Sequence, residues 1–480
     1  MFRHSFLTSS PSAAHVTPHG LHADVALSGG YVYPARATDG VTAGAATLLA
    51  FAEVEGDGAA AAPVTAAFTL YAADGATVAA SARASGSAGP AGAPPATLSA
   101  TLTLANASAW SVGRPYLYTL SVALSSGHVV NATLGLRAVR FDADSGVYVN
   151  EQRVRFRAYC DHESFAATGM AVPDRVNLFR YQAMRGMGGN GRRFSHNPPA
   201  PALLDLADRL GLLTLDENRV FAQGLAGNMK DLVERDRNHP SVVFWSLCNE
   251  PGCNNADKSA PQEPTQDFKY AAEIADGSRA VTGNMCIGWG SCPDMSQYLE
   301  GLNMSLQLDV QGFSHVDSAA FEQYHARWVR ARTPRSGLGR SPRASLFFAT
   351  LLSSRPPATL SHLPPLLLQP GKPLVASECC SCETQRGEAD DVAHNKSLVY
   401  YSEFNADCLA QQTQWALGLD YVSGSFVWTA FDCACACCVR GLARFLSPAA
   451  CAHSPFSLPP HDRFWRARRV APREQQLWEL

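Results

Sequence analysis

The stretch Arg237-Asn238-His239-Pro240-Ser241-Val242-Val243-Phe244-Trp245-Ser246-Leu247-Cys248-Asn249-Glu250 decides how this chain reads. A charged segment ends at a proline, an apolar run from Val242 to Trp245 follows, and it stops at Asn249-Glu250. An apolar run bounded by a breaker reads as a strand buried on both faces. A carboxylate at the C-terminal end of a buried parallel strand stands where a β/α barrel keeps its chemistry. Apolar walls also raise a carboxyl pKa, which suits a general acid.

Outward from that run, strands alternate with helical periods from about residue 139. Strands are expected at Val154–Tyr159, Gly188–Arg193, Leu212–Leu215, the run just quoted, Ala280–Met285, Leu308–Gly312, Pro373–Ser377 and Val422–Trp428. Helices are expected at Asn177–Met187, Leu203–Leu210 with Gly211 as its stop, and Met229–Arg237. Eight strands with helices between them predict a (β/α)₈ TIM barrel over residues 139–432. Residues 20–138 carry short alternating segments such as Ala66-Ala67-Phe68-Thr69-Leu70-Tyr71, separated by turn residues. They predict an immunoglobulin-like β-sandwich. The stretch Ser85–Pro95, rich in Ala, Gly, Pro and Ser, reads as a floppy loop. Residues 331–370 and 433–480 fit no period. They read as a low-complexity insertion and an atypical tail, or as translated non-coding sequence.

With 480 residues and a net charge of −3, no polyanion partner is implied. Charged residues make up 17%, below the roughly 25% usual for soluble domains, and Ala/Gly-rich segments account for much of the deficit. No apolar run reaches about 18 residues, so no spanning helix and no membrane partner are expected. The N-terminus is not a clean signal peptide. Sequons at Asn106, Asn131, Asn303 and Asn395 weakly favour a secretory, lysosomal or extracellular route. Seven of the 14 Cys cluster, at Cys379, Cys380 and Cys382 and at Cys433, Cys435, Cys437 and Cys438, without zinc-site spacing. No metal and no cofactor is expected.

The opening run, with Trp245-Ser246 and Asn249-Glu250, resembles the acid/base signature of glycoside hydrolase family 2, which includes β-galactosidases, β-glucuronidases and β-mannosidases. Gly189-Asn190-Gly191-Arg192-Arg193-Phe194-Ser195-His196-Asn197-Pro198, followed by Asp216-Glu217, resembles the family's other signature. The likeness extends to Trp110-Ser111-Val112, Pro115-Tyr116-Leu117-Tyr118, Gly135-Leu136-Arg137 and the segment from Asp144 to Asn150. The resemblance implies retaining hydrolysis by two carboxylates about 5–5.5 Å apart. Glu250 matches the acid/base. Glu378, closing the short apolar strand Lys372-Pro373-Leu374-Val375-Ala376-Ser377, is the expected nucleophile, with Glu383 and Glu388 as weaker rivals.

Further roles follow from the same likeness. Asn249 would hydrogen-bond the sugar 2-hydroxyl, and Trp428 would form an aromatic platform under the sugar. Asp161-His162-Glu163 resembles a His-Glu pair lining the pocket. Arg193 and His196 stand at matching positions, with Arg193 placed to pair with Glu378. For each of these a structural role is the alternative. The chain also departs from the family. A sugar-binding-like sandwich normally comes first, and only residues 1–19 would be its remnant. Gly312-Phe313-Ser314-His315 replaces a Tyr-bearing segment, leaving His315 or Tyr324 as substitutes. Phe221 and Gln223 stand where some β-galactosidases bind magnesium. The Asn-x-Lys element with which β-glucuronidases read a carboxylate is not visible after Trp428. The expected function is therefore a retaining exo-β-glycosidase acting on a carbohydrate substrate. β-Galactosidase is the first choice, and β-glucuronidase or β-mannosidase the alternatives. A homo-oligomer is left open. An inactive carbohydrate-binding member of the family is the alternative of another class.

Overall fold

The computed structural model describes residues 13–33, 41–165, 168–253, 263–288, 292–300, 303–328, 372–379, 414, 416 and 418–428. The segments 331–370 and 433–480, the rivals Glu383 and Glu388, and all the clustered cysteines except Cys379 lie outside them.

Nine strands build the N-terminal sandwich: β1 (Ala14–Leu27), β2 (Val41–Ala43), β3 (Ala46–Gly56), β4 (Ala62–Tyr71), β5 (Val78–Ala88), β6 (Ala96–Leu104), β7 (Ala107–Ala109), β8 (Tyr118–Leu124) and β9 (Val129–Leu134). One sheet has the order β1-β3-β6, the facing sheet β5-β4-β8-β9, and β2 pairs with β7. Alternation does the sorting, since successive side chains of a strand point to opposite faces. Leu48, Ala50, Ala52 and Val54 of β3 meet Val64, Ala66, Phe68 and Leu70 of β4 in one buried core. The first strand begins at Ala14, ahead of the start near residue 20 read from the sequence. The expected loop at Ser85–Pro95 is also corrected. Its first four residues, Ser85–Ala88, belong to β5, which pairs with β4 from Ala62↔Ala88 to Tyr71↔Val78, while residues 89–95 form the loop as read. Small residues in β5 form a partly exposed edge strand, where ladder hydrogen bonds rather than side-chain bulk hold the chain.

A small antiparallel sheet, β10 (Val139–Asp142), β11 (Gly146–Val149) and β12 (Gln152–Val154), leads into a closed barrel. The barrel strands are β13 (Phe156–Asp161), β14 (Gly191–Phe194), β15 (Leu213–Glu217), β16 (Val242–Asn249), β17 (Ala280–Cys286), β18 (Gln311–Ser314), β19 (Leu374–Cys379) and β20 (Val422–Trp428). They are parallel throughout, and β20 closes on β13. Closure needs Gly424, because a Cβ there, at φ 120°, would lie 2.3 Å from the Phe156 carbonyl oxygen. Inside the barrel Phe156, Phe244 and Phe426 pack ring to ring, below the ends that carry polar residues.

The helices are α1 (Asp174–Gly186), α2 (Pro201–Leu210), α3 (Ala226–Asp236), α4 (Glu263–Ala275), α5 (Met295–Glu300), α6 (Asn303–Gln307) and α7 (Ser318–Trp328). Helix α2 ends at Gly211 in the left-handed conformation, φ 65°, as its sequence requires. Two strands start later than read from the sequence, at Gly191 rather than Gly188 and at Gln311 rather than Leu308. In both cases the residues ahead are spent on the turn out of the preceding helix.

The sandwich grips the barrel at the N-terminal end of its strands. Trp110 Nε1 donates to the Asp208 carbonyl at 2.9 Å, and Arg137 donates to the carbonyls of Pro240 and Val242. Asn238 Nδ2 donates to the Leu21 carbonyl at 2.8 Å. These contacts sit at the start of β16, so its far end, with Asn249 and Glu250, is left for chemistry. No helix among the described residues is long and apolar enough to cross a membrane.

Candidate active site

Buried parallel strands alternate between inward and outward residues even when both faces are dry. In β14 the neighbours Arg192 and Arg193 are both fully buried and point to opposite layers. Arg192 lies over the rings of Tyr181 and Phe194, 3.3 Å from Asp161. Arg193 enters the barrel and becomes its polar hub. Its Nη1 donates to Glu378 Oε2 at 2.5 Å. Its Nε and Nη2 fork onto the Glu217 carboxylate at 3.0 and 2.8 Å, and Nη2 also donates to Asn249 Oδ1 at 2.7 Å. A buried guanidinium is tolerable only when paired in this way.

Glu378 is the penultimate residue of β19, a strand buried along its whole length. Burial alone would raise its carboxyl pKa, but the Arg193 charge and the hydrogen bond and charge of His315 outweigh it and hold the group at about 2. Glu378 is therefore a carboxylate across the physiological range. Glu250 follows β16 at φ 42°, with its side chain 14% exposed. Ser314 Oγ donates to Glu250 Oε1. One oxygen of Glu250, one oxygen of Glu378 and one ring nitrogen of His315 all lie within 4.8 Å of each other. A disulfide, Cys248–Cys253, brackets Asn249 and Glu250.

Asn249 accepts two hydrogen bonds on Oδ1, from Arg193 and from Asn284 Nδ2 at 2.6 Å. They fix the orientation of its amide and turn Nδ2 away from both donors. Asn284 Nδ2 also reaches Glu378 Oε2 at 3.1 Å, and Ser377 Oγ donates to Asn284 Oδ1 at 2.6 Å. Beside this network, three rings form one wall. His196 stacks on Trp428 with centroids 5.4 Å apart, and His162 stands edge-on to Trp428 at 5.1 Å and to His196 at 5.5 Å. Burial, with the neighbouring His196, depresses the His162 pKa, so this ring is neutral. His196 Nδ1 lies 3.2 Å from Glu217 Oε1, which ties the wall to the hub. A cavity of about 540 Å³ opens against it, lined by His162, His196, Glu163, Met170, Asn197 and Arg219 among others.

The seven residues singled out from sequence thus meet at one end of the barrel. Arg193, Asn249 and Glu378 form a hydrogen-bonded set, Glu250 lies across from Glu378, and His162, His196 and Trp428 form the wall. Two family models match the chain. One, described as "Glycosyl hydrolases family 2, TIM barrel domain", matches residues 142–232 and 222–299, and the other, "Glycosyl hydrolases family 2", matches residues 32–137. The chain belongs to glycosyl hydrolase family 2.

Among relatives of this family-2 chain, the β-galactosidase BoGH2A of Bacteroides ovatus is 35% identical over 167 residues, covering 31% of this chain and 20% of the relative. A β-glucuronidase of Paenibacillus borealis is 30% identical over 209 residues, covering 38% of this chain and 33% of the relative. A family-2 member from Bacteroides cellulosilyticus superposes with a TM-score of 0.62 at 19% identity, over 88% of this chain and 46% of that one. The β-glucuronidase of Bacteroides uniformis gives 0.61 at 18% identity, over 87% and 46%. The chain therefore spans under half the length of each of these four relatives, and at these identities the solved structures bear on the fold alone.

The network contains family-2 residues that the sequence reading left without a role. Glu217, Asn284, Ser314 and Ser377 are buried polar residues near the ends of apolar strands, and that position was the available signal. Of the two substitutes considered for the missing Tyr, His315 donates from Nε2 to the ionised Glu378 Oε1 at 2.8 Å. Tyr324 is buried elsewhere, bonded to Ser305 Oγ at 2.8 Å. Phe221 packs on Phe268 at 4.8 Å.

Proposed function

We propose that this family-2 chain is a retaining exo-acting β-glycosidase, with Glu378 as nucleophile and Glu250 as acid/base. The observation that carries the reading is the approach of the two carboxyl groups to within 4.8 Å at the ends of β16 and β19. That separation suits a retaining pair, about 5–5.5 Å, and leaves no room for the water of an inverting pair, about 6.5–9.5 Å.

In the first step a Glu378 oxygen forms a bond to the anomeric carbon. The glycosidic C–O bond breaks, and the leaving oxygen takes the Glu250 proton. In the second step Glu250, now a carboxylate, takes a proton from water. The water oxygen bonds to the anomeric carbon, the ester C–O bond breaks, and both groups return to their starting states. Arg193 keeps the nucleophile ionised. Asn249, its amide fixed, offers Nδ2 to the 2-hydroxyl. Trp428 supplies a flat apolar face for sugar C–H groups, with the two His rings beside it for hydroxyls.

β-Galactosidase is the preferred specificity. One observation favours a β-glucuronidase as second reading: Arg219, which donates to Asn197 Oδ1, brings a guanidinium to the cavity lined by His162 and His196, where a sugar carboxylate could pair with it. Hydrolysis of aryl β-galactoside, β-glucuronide, β-mannoside and β-glucoside by the purified protein tests both. Turnover of one of them, abolished in Glu250→Gln and Glu378→Gln, is the expected result. A folded protein that binds sugars and hydrolyses none would overturn the proposal in favour of a binding role.

A further inference from the structure

Among the described residues, His315 is the side chain within reach of both carboxylates. Its Nε2 stands 2.8 Å from Glu378 Oε1 and 3.7 Å from Glu250 Oε1. The backbone holds it there: His315 has φ 51°, and its N–H donates to the Glu378 carbonyl at 2.8 Å. The ring is therefore anchored to the strand end that carries one carboxylate while its tip lies between both. Burial opposes a charge on this imidazole, yet the hydrogen bond and charge of Glu378, with Glu250 behind it, outweigh burial and the Arg193 charge and raise its pKa. Because the ionised Glu378 can only accept, Nε2 at 2.8 Å from it carries the hydrogen.

The reaction described above moves charge between these two acceptors. Before the first step Glu378 is ionised and Glu250 holds a proton. In the glycosyl-enzyme Glu378 is a neutral ester and Glu250 is ionised. The pair carries one negative charge throughout, but the charge changes sides. We propose that His315 is a positioning residue whose Nε2–H follows that charge, bonding Glu378 in the free enzyme and Glu250 in the glycosyl-enzyme. The inference rests on the assignment of Glu250 and Glu378 as acid/base and nucleophile. Closing 3.7 Å to hydrogen-bond length needs a movement of about 1 Å, which opens the bond to Glu378 as its charge is lost. A donor shared in this way stabilises both transition states, since in each the departing charge and the arriving charge face the same N–H.

The test separates the two steps. Stopped-flow release of dinitrophenol from 2,4-dinitrophenyl β-galactoside and β-glucuronide gives a burst for glycosylation and a steady rate for deglycosylation. His315→Leu should slow both, each by roughly 10- to 100-fold, the effect of one hydrogen bond to a charged group. His315→Gln, which keeps an N–H donor, should recover part of both rates. A His315→Leu protein with native circular dichroism that slows only the burst would mean that His315 serves Glu378 alone, and the proposal would fall. It would fall equally if His315→Gln were no better than His315→Leu. Inert wild-type protein, unlabelled at Glu378 by aryl 2-deoxy-2-fluoro-β-glycosides of the same sugars, would overturn the carboxylate assignment and this inference with it. Active wild type with unaffected variants would overturn this inference alone.

Discussion

Replacing Arg193 with Gln should invert the way the stability of this protein depends on pH. In the wild type Glu378 falls from an ordinary value of 4.5 to about 2. At 1.36 kcal/mol per pH unit, that drop is a preference of about 3 kcal/mol for the ionised form in the folded state. The sign follows from linkage. A depressed carboxyl contributes stability that is complete above pH 4.5 and is lost as pH falls from 4.5 towards 2. Without Arg193 the largest lowering influence on Glu378 is gone, burial pushes the carboxyl upward, and Glu217 loses its fork as well. Two buried carboxylates left without their cation should destabilise the fold by about 3–5 kcal/mol near neutrality. Protonation of Glu378 relieves its share, so the gap between variant and wild type should shrink as pH falls to about 4. Urea denaturation at pH 4, 5.5 and 7 measures it, and the acid limb of kcat/KM should move to higher pH in parallel. A gap of constant size across that range, or one below about 1 kcal/mol at pH 7, would refute the electrostatic account of the hub.

Asp216→Asn should behave in the opposite sense. Burial first, and then the facing Asp236, push the Asp216 carboxyl well above its ordinary value of 3.8, so the folded state keeps a proton that the unfolded chain gives up. Wild-type stability is therefore eroded by this group as pH rises above 3.8, and the neutral Asn should flatten that decline, read as a Tm gain that grows from pH 4 to pH 7. Trp428→Ala should lower kcat/KM about 10-fold, the size of one aromatic contact, and release His196 from its stack; unchanged KM and kcat would show that the ring carries no sugar. Cys253→Ser should cost about 2 kcal/mol by opening the short loop around Glu250, with kcat falling more than KM changes; equal effects on a remote stability probe and none on kcat would argue that the loop does not position the acid.

Much of the fold was legible because burial writes periodicity into sequence. Strands β16 and β19 read as uninterrupted apolar runs because a barrel strand is dry on both faces, and the sandwich read as alternation because each sheet has one wet face. Where that rule weakens, the reading failed. Ser85–Ala88 looked like part of the loop that follows because small residues on an edge strand carry no burial signal, and the ladder to β4 holds them instead. The start of β18 was misplaced because Leu308 and Val310 of the preceding turn are buried and as apolar as the strand, and that of β14 because nothing in Gly188-Gly189-Asn190 marks where the turn gives way to the strand.

For the site, position along the strand was enough to single out Glu250 and Glu378, since each apolar run halts at a carboxylate. What the sequence by itself determined was therefore the fold, the family and the strand ends at which polar residues gather. Only the tertiary structure decided which of them touch. Arg193 reaches Glu378, 185 residues away in sequence, and Asn284 reaches both Asn249 and Glu378. His315 rather than Tyr324 lies between the carboxylates. These pairings depend on how the ends of eight parallel strands are staggered around a closed barrel, and the stagger is set by packing and register across the whole ring. A local sequence pattern reports the burial of its own strand and carries no record of that register.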